Sequence, residues 1–336
     1  MFLDIRYAMR QLRKSPGFTV TAVVTLALAI GANAIVFSVL NALILHPLKV
    51  PDAQSLSMVQ RLIPGMGNVP SQSYMDYQDL RDRNHSFKSM ATYSIQGAMG
   101  VATGGATPTE AWPYLVSGNY FETVGAQPYL GRLFSVADEH GDNSVPYIVL
   151  SYAYWESHFD GDRNVVGRNV QVNGHGFTIL GVTQPEFRGT ELFFAPAFYA
   201  PIVDLPELGW NPLHERGDHF SWLIGHLKPG VTPKQAAADL NTIAAELAKT
   251  YPKEDSGLNL SLAKPGLVGD YFRRPAKAFM AGLMLLAGLI LLAACANLGS
   301  LFAARAADRA KEIALRMALG SRRALVVRQL LTEAVL

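Results

Sequence analysis

The sequence predicts a membrane protein in which transmembrane α-helices flank a large α+β domain, and three observations support this fold class. Residues 18–45 and 278–304 contain no Lys, Arg, Asp or Glu, although 17% of the 336 residues are charged. Basic residues are concentrated just outside these two stretches. Strand and helix patterns alternate through the residues between them, which is typical of an α+β domain with mixed sheets.

Both charge-free stretches are long enough to cross a bilayer. Helices of this length extend about 40 Å at about 1.5 Å per residue, whereas a hydrocarbon core of about 30 Å needs only about 20 residues. A buried core helix is usually shorter, and a cleaved signal peptide has a shorter apolar core that begins nearer the N-terminus. We therefore interpret residues 18–45 and 278–304 as transmembrane helices 1 and 2.

The charge distribution predicts the orientation. Residues 1–17 and 305–336 together contain 11 basic and 4 acidic residues, whereas residues 46–277 contain 18 basic and 23 acidic ones. By the positive-inside rule both ends are cytoplasmic and residues 46–277 are exported. Arg273, Arg274 and Lys277 argue the other way, but long translocated domains tolerate such clusters. The single cysteine, Cys295, lies in the second span, so the exported domain folds without disulfides.

The exported domain contains several local signals. Residues 71–83 are helical in pattern, with Tyr74, Tyr77 and Leu80 on one face, and residues 145–151 form a buried strand followed by a helix. Asn173-Gly174 between two alternating stretches is the strongest hairpin signal, and residues 221–227 form another strand. A further helix begins with Thr232 as N-cap, Pro233 in its first position and Gln235 completing a capping box. Its apolar stripe is Ala236, Leu240, Ile243, Ala244 and Leu247.

The segments outside the exported domain have their own patterns. Residues 1–17 form a cytoplasmic amphipathic tail, and residues 305–320 form a charged cytoplasmic helix. Residues 321–336 begin an apolar helix that stops in mid-pattern, which predicts a truncated third span. In the first span, Gly31, Asn33, Ser38 and Asn41 are small or polar and predict a face packed against other helices, the second span in particular.

Enzyme signatures are not found in the sequence. It contains neither the GxxxxGK[ST] loop that cradles phosphates nor a GxSxG nucleophile turn. His214-Glu215 is followed by His219, one position beyond the HExxH zinc pattern, so the two histidines would not share a helix face. The acidic runs at 138–142 and 160–162 suit turns better than calcium sites. We expect no catalytic, metal or cofactor site in this chain.

The cytoplasmic helix after the second span shows internal order. Glu312 and Arg316 form an i, i+4 pair in the favourable orientation, Ile313 and Met317 share an apolar stripe, and Gly320 permits a sharp turn. Such a helix suits docking in a groove of a cytoplasmic partner. The alternative is a helix that lies on the lipid surface without a partner.

Several blocks of the sequence resemble one family. KEIALRMALGSRRALVVRQLLTEAVL is similar to the signature of FtsX/MacB-type ABC transporter permeases. The block DIRYAMRQLRKSPGFTVTAVVTLALAIGANAIVFSVLNALIL resembles the N-terminal span of acidobacterial-type duplicated permeases. The blocks VSGNYFETVGAQPYLGRLF and VLSYAYWESHFDGDRNVVGRNVQVNGHGFTILGV are similar to their MacB-like periplasmic core domain. These blocks follow the family's order over nearly the whole chain.

The resemblance implies a mechanism. In this family a separate cytoplasmic ATPase binds ATP, the helix after the second span couples to it, and the periplasmic domain has two α+β subdomains. The coupling positions carried over are Glu312, Ile313, Arg316, Gly320 and Arg323; Ser321 replaces the usual alanine. Because the family's unit has four spans, often duplicated, this chain resembles a truncated half-permease.

These observations lead to a functional hypothesis. The chain is expected to be the permease subunit of a mechanotransmission-type ABC transporter for efflux or export in the bacterial inner membrane. Its partners would be a cytoplasmic ABC ATPase, the lipid bilayer and a second permease half or a homodimer partner, with no nucleic acid. The alternative is a membrane-anchored extracytoplasmic binding or sensor module without an ATPase. The sequence does not select a substrate.

Overall fold

The fold consists of two compact units. The computed structural model describes residues 16–40, 48–143 and 146–308 and positions 314, 315 and 318. One unit comprises Met1–His46 with Lys277–Leu336, and the other is Pro47–Ala276. The first contains apolar helices and the second contains a mixed β-sheet, so the predicted fold class is confirmed.

The elements of the described residues are six α-helices and thirteen strands, numbered here in chain order. The helices are α1 (Pro16–Leu40), α2 (Tyr74–Arg83), α3 (Tyr120–Val124), α4 (Tyr152–His158), α5 (Pro233–Thr250) and α6 (Arg273–Asp308). The strands are β1 (Leu56–Ile63), β2 (Gly67–Val69), β3 (Phe87–Ile95), β4 (Met99–Thr103), β5 (Thr109–Ala111), β6 (Pro113–Val116), β7 (Pro128–Gly131), β8 (Tyr147–Leu150), β9 (Asn169–Val172), β10 (His175–Thr183), β11 (Phe198–Pro201), β12 (Trp222–Leu227) and β13 (Leu260–Ala263).

Helices α1 and α6 contain the two candidate membrane spans. By length and composition, Thr19–Ser38 in α1 and Pro275–Leu301 in α6, 20 and 27 residues long, can each cross a bilayer. The side chains in both windows are mostly exposed, as expected of helices that face lipid rather than a protein core.

One hydrogen bond joins the two helices. The Asn33 side-chain amide donates to the Ala29 carbonyl of its own helix at 2.9 Å and to the Ala287 carbonyl of α6 at 3.4 Å. Ala29 and Ala287 are buried, so small residues let the backbones approach here. The predicted packing of Asn33 against the second span is therefore confirmed. Gly31 and Ser38 are exposed instead, and Asn41 lies outside the described residues.

The sheet of the second unit runs in the order β13-β1-β12-β3-β6-β11-β8-β10-β9-β4-β5, with β2 paired to β1 and β7 paired to β10. The β6/β11 and β8/β10 pairs are parallel, and the other pairs are antiparallel. All thirteen strands of the described residues belong to this one sheet, and Pro47–Ala276 forms one compact unit, so the two subdomains that the family resemblance implies stay an expectation.

Several local predictions for the domain are confirmed. Asn173 and Gly174 both have positive φ, 49° and 87°, as a two-residue hairpin turn between β9 and β10 requires. The Thr232 hydroxyl accepts from the Gln235 amide in the predicted capping box, and Pro233 is the first residue of α5. All five predicted stripe residues of α5 are buried. Helix α2 buries Tyr74, Tyr77 and Leu80 as predicted and begins after Ser73.

Two hydrophobic cores form because successive strand residues point to opposite faces of the sheet. The first core lies under α2 and α5 and includes Leu80, Leu223 and Leu240. The second core is rich in aromatic residues and includes Tyr93 and Tyr199. At one end of the domain Val50 is buried in this second core, and at the other end Gly269 lies next to Met58 of the same core, which directs attention to this region.

Candidate functional site at the chain connections of the domain

The coupling residues predicted from the sequence lie outside the described residues. These positions are Glu312, Ile313, Arg316, Gly320 and Arg323. Their roles therefore stay predictions. The described part of the chain shows instead how the exported domain holds the two segments that lead to α1 and α6.

The segment that precedes β1, residues 48–55, is called the connector here. Its Val50 is buried in the second core, and Leu48 and Ala53 pack against the same cluster. Gly125, which ends α3 with a φ of 68°, lies so close to Pro51 that an added Cβ would be 2.9 Å from its Cγ. The connector is thus built into the second core rather than attached loosely to it.

The segment between β13 and α6, residues 264–272, is called the strap here. Its Gly266 pairs with Glu191 in an isolated parallel bridge, and the Leu192 amide donates to the Gly266 carbonyl at 2.9 Å. Val268 is 5% exposed. A Cβ on Gly266 would lie 3.8 Å from a methyl carbon of Leu48, so strap and connector lie next to each other on the domain.

Glu191 is the main polar contact of the strap. Its carboxylate accepts from the Tyr93 hydroxyl at 2.6 Å through Oε1 and from the Val268 amide at 2.7 Å through Oε2. Glu191 is 3% exposed. Burial raises its pKa to about 7, although the hydrogen bonds from Tyr93 and Val268 and the charge of Arg273 oppose that shift. A buried carboxylate with two donors is thus the link between the strap and the sheet.

The loop that carries Glu191 is itself held by tyrosine hydroxyls of the second core. The Tyr120 hydroxyl lies 3.3 Å from Thr190 Oγ1, and the Tyr114 hydroxyl donates to the Phe194 carbonyl at 2.5 Å. The Tyr93 ring in turn stacks on Tyr114 at 5.6 Å between centroids. Because these rings are buried and in mutual contact, the loop has little freedom to move independently of the sheet.

The strap has an unusual backbone. Val268 has a φ of 50°, a left-handed conformation that is strained for a β-branched residue. Gly266 and Gly269 also have positive φ, 105° and 61°. A Cβ on Gly269 would overlap the side-chain amide of Gln60, which is fully buried and has no hydrogen-bond partner among the described residues. Strain and an unpaired polar group thus coincide where the chain leaves the domain.

A second polar cluster lies on the opposite face of the sheet. Arg216 bonds to Asp76 at 2.7 Å and to Asp79 at 2.6 Å, and its Nη1 is 3.6 Å from Asp255. Arg61 lies 4.0 Å from both Asp76 and Asp255. Burial and the nearby Asp76 charge raise the pKa of Asp255 to about 6, although Arg216 and Arg61 lower it. The network joins β1 and α2 to the segments after β11 and α5.

The ligand atoms of Asp76, His219 and Asp255 are close enough together to hold a metal ion. Arg61 and Arg216, however, already compensate both carboxylates, so a divalent cation would have to share them with two guanidinium groups at 4.0 Å or less. Burial and Arg61 also lower the pKa of His219. This donor set suits a network of ion pairs better than a metal centre.

His214 and the two acidic runs lie at the surface of the domain. His214 pairs with Asp142 at 2.7 Å, whereas His219 faces Asp76 at 3.9 Å, so the two histidines face different carboxylates. Asp138 pairs with Arg132. In the second acidic run, residues 160 and 161 both have positive φ, and the Asp162 side chain accepts from the Asn164 amide. Both acidic runs thus serve in turns and surface ion pairs.

Comparisons with known proteins agree with this fold. Residues 19–243 match the family described as the MacB-like periplasmic core domain. No curated protein matches the chain. Among solved structures, a domain of a protein described as a permease from Porphyromonas gingivalis is 14% identical, with a TM-score of 0.50 over 64% of this chain and 93% of that one.

Two further solved structures are similar. The periplasmic region of MacB from Actinobacillus actinomycetemcomitans is 15% identical, with a TM-score of 0.47 over 67% of this chain and 94% of that one. The extracellular domain of the noncanonic ABC-type transporter YknZ from Gram-positive bacteria is also 15% identical, with a TM-score of 0.46 over 62% of this chain and 98% of that one.

Proposed function

Because the chain belongs to the family of MacB-like periplasmic core domains, we propose that it is the membrane subunit of an ABC transporter of the mechanotransmission type. In this role it couples a separate cytoplasmic ATPase to movement of its periplasmic domain, for efflux or export. The observation that supports this proposal most is that both chain connections contact the second core, since Val50 is buried in it and Gly269 lies next to Met58. A displacement of either membrane helix would therefore act on the same buried cluster.

The proposed path of the signal begins at the cytoplasmic helix. Glu312, Ile313, Arg316, Gly320 and Arg323 contact the ATPase, and the second span carries their displacement to the strap. The orientation with both ends in the cytoplasm follows from the basic residues outside the two spans. The domain receives the displacement at Glu191, where the strap is bonded to the sheet.

The chain itself carries no catalytic role in this proposal. ATP is bound and hydrolysed by the partner subunit, and this chain needs no cofactor. It acts together with a second permease half or with a copy of itself, because an ABC ATPase pair offers two docking grooves.

The test is co-purification of the protein with a cytoplasmic ABC ATPase of its host cell, followed by ATPase assays of the complex. We expect the two to co-purify and the permease to stimulate hydrolysis. Glu312→Ala and Gly320→Val should lower the stimulation, whereas Lys253→Ala in the exported domain should leave it unchanged. Failure of the wild-type protein to bind an ATPase would overturn the proposal in favour of a membrane-anchored sensor. Unchanged stimulation by both variants would overturn only the residue assignment.

A further inference from the structure

The strap is held in place by its contacts with the rest of the domain, because its own backbone conformation is strained. Val268 is strained, and Gly266 and Gly269 adopt backbone angles that few other residues tolerate. Left to itself, such a segment would relax toward extended angles. Its position therefore depends on the contacts that hold it to the domain.

Two neighbouring residues of one loop, Glu191 and Leu192, hold the middle of the strap. Besides the carbonyl of Gly266, which accepts from Leu192, the strap is held on this side by Val268 donating to Glu191. On the other side, Arg273 donates to the Lys264 carbonyl at 2.7 Å and lies 3.4 Å from Asp270, both within the strap region itself. Of these contacts, the Glu191 carboxylate alone connects the middle of the strap to a core tyrosine, Tyr93.

We propose that Glu191 is the positioning residue that fixes the strap on the second core and thereby joins the exported domain to the second span. The positioning rests on the geometry alone, and its consequence for coupling rests on the proposed function. The carboxylate acts through the Val268 amide, and Tyr93 transmits its position to β3. Neither residue belongs to the coupling positions predicted from the sequence.

The variant Glu191→Gln distinguishes the effect of the carboxylate's charge from the effect of the side chain's volume. A glutamine side chain has nearly the same shape, and its Oε1 can still accept from the Val268 amide while its NH₂ donates to the Tyr93 hydroxyl, so the variant removes the charge of the acceptor and little else. Tyr93→Phe removes the donor to Oε1 and leaves the Val268 bond in place. Glu186→Gln is the matched control, because it is the same substitution at an exposed glutamate on the segment that precedes Glu191.

The experiment is hydrogen exchange of residues 264–272 in the full-length protein, read at single-residue resolution. At pH 8, where the carboxylate is ionised, we expect Glu191→Gln to lower the protection of the Val268 amide by about five- to tenfold, since a charged acceptor is replaced by a neutral one. Tyr93→Phe should lower it by a smaller factor, and Glu186→Gln should not change it. Protection at Val268 that stays at the wild-type level in Glu191→Gln would overturn the positioning role.

The pH profile gives a readout that a general loss of packing would not produce. The charged or titratable groups that face the Glu191 carboxylate are Tyr93, Tyr114, Tyr120 and Arg273. Burial raises the pKa of the three tyrosines further above neutrality, whereas it raises that of Glu191 to about 7. The Val268 hydrogen bond favours the ionised carboxylate, because it lowers the pKa of Glu191. Under strongly native conditions, where the amide exchanges by local opening of this bond, wild-type protection at Val268 should therefore rise with pH through about 7 after correction for intrinsic exchange, although the stability of the whole domain falls. Glu191→Gln should show a flat profile. A profile that keeps the wild-type rise in this variant would contradict the role.

Two further arms complete the test. If Glu191→Gln loses the native tryptophan fluorescence of the domain, Tyr93→Phe replaces it, and unchanged Val268 protection in that variant would overturn the inference. In the complex with an ATPase, Glu191→Gln should lower ATPase stimulation by about fivefold or more. Lowered protection with unchanged stimulation would overturn the coupling role alone. Absence of any ATPase partner would refute the proposed function, while Val268 protection would still decide the positioning role.

Discussion

A single glycine in the central sheet leaves room for atoms of the neighbouring strand that a side chain would displace. Gly225 lies in β12 between β1 and β3. A Cβ there would lie 2.5 Å from the Ser89 carbonyl oxygen and 2.7 Å from a ring carbon of Phe87. Both neighbours belong to β3, a central strand whose backbone cannot shift without disturbing both cores.

Gly225→Ala should therefore destabilise the domain by about 1–3 kcal/mol, the range for overpacking a well-packed site. All four tryptophans lie in residues 47–276, so tryptophan fluorescence reports on the domain even in the full-length protein. Gly97→Ala is the control, because Gly97 is exposed and a Cβ there would meet no atom within 4 Å. Equal unfolding midpoints for the two variants in urea would contradict the close approach.

Helix α5 shows at the scale of elements how local sequence fixes a structure. Its N-cap, first-position proline and reciprocal capping box were all predicted from residues 232–235 and are all present. Its apolar stripe packs on the first core, and the neighbouring Asn241 donates to the Leu260 carbonyl at 2.7 Å. The helix is thus stabilised both by its own ends and by contact with β13.

Thr232→Ala should lower the free energy of unfolding by about 1 kcal/mol, since the amide of Gln235 loses its acceptor. Thr242→Ala is the matched control in the same helix. Its hydroxyl bonds only to the Ala238 carbonyl on the exposed face, and alanine has the better helix propensity. Urea unfolding followed by tryptophan fluorescence distinguishes them. A loss in Thr242→Ala as large as that in Thr232→Ala would show that the cap is not responsible.

Such local signals explain which parts of the fold the sequence could predict. The hairpin turn, the helix cap and the apolar stripe of α5 depend on residues that are close together in the sequence, and these predictions are confirmed. The sheet order depends on strand pairs that are far apart in sequence, such as Met58 with Ala263, and the site around Glu191 depends on the contact of Tyr93 with Glu191 across 98 positions. A buried glutamate in a loop has no periodic pattern, and Gly266 and Gly269 alone gave no indication of a strap.

At the scale of the whole molecule, the ionisation of buried carboxyl groups makes the stability of the domain depend on pH. Burial raises the pKa of Glu191 to about 7 and that of Asp255 to about 6. In the unfolded chain both carboxyl groups have their ordinary pKa values of about 4. Between about pH 4 and 7 the folded domain therefore binds protons that the unfolded chain has already released. These two groups therefore make the domain more stable as pH falls from about 7 toward 4.5. His219, whose pKa burial lowers, acts in the opposite direction below about 6.5.

The difference in unfolding free energy between wild type and Glu191→Gln isolates one of these contributions. Relative to the variant, we expect the wild-type protein to lose stability as pH rises from 5 to 8, because Glu191 must ionise in a buried site. Urea titrations at several pH values, followed by tryptophan fluorescence, measure this difference. A difference that is constant with pH would contradict a raised pKa at Glu191.

Membrane orientation is a second property of the whole chain. The excess of basic residues outside the two spans predicts cytoplasmic ends and an exported domain. In a Cys295→Ala background, Lys253→Cys should react with a membrane-impermeant maleimide added to spheroplasts. Ser15→Cys should react only after permeabilisation. Labelling of Ser15→Cys in intact spheroplasts would contradict the orientation.

The central claim is that ATP-driven displacement reaches the exported domain through the strap. Hydrogen exchange of the reconstituted complex of the full-length permease and its ATPase, with and without a non-hydrolysable ATP analogue, tests it most directly. The account predicts that the analogue changes protection at residues 264–272 and 48–55 while the central strands β3 and β12 stay constant. Unchanged exchange throughout residues 48–272 when the analogue binds would contradict it.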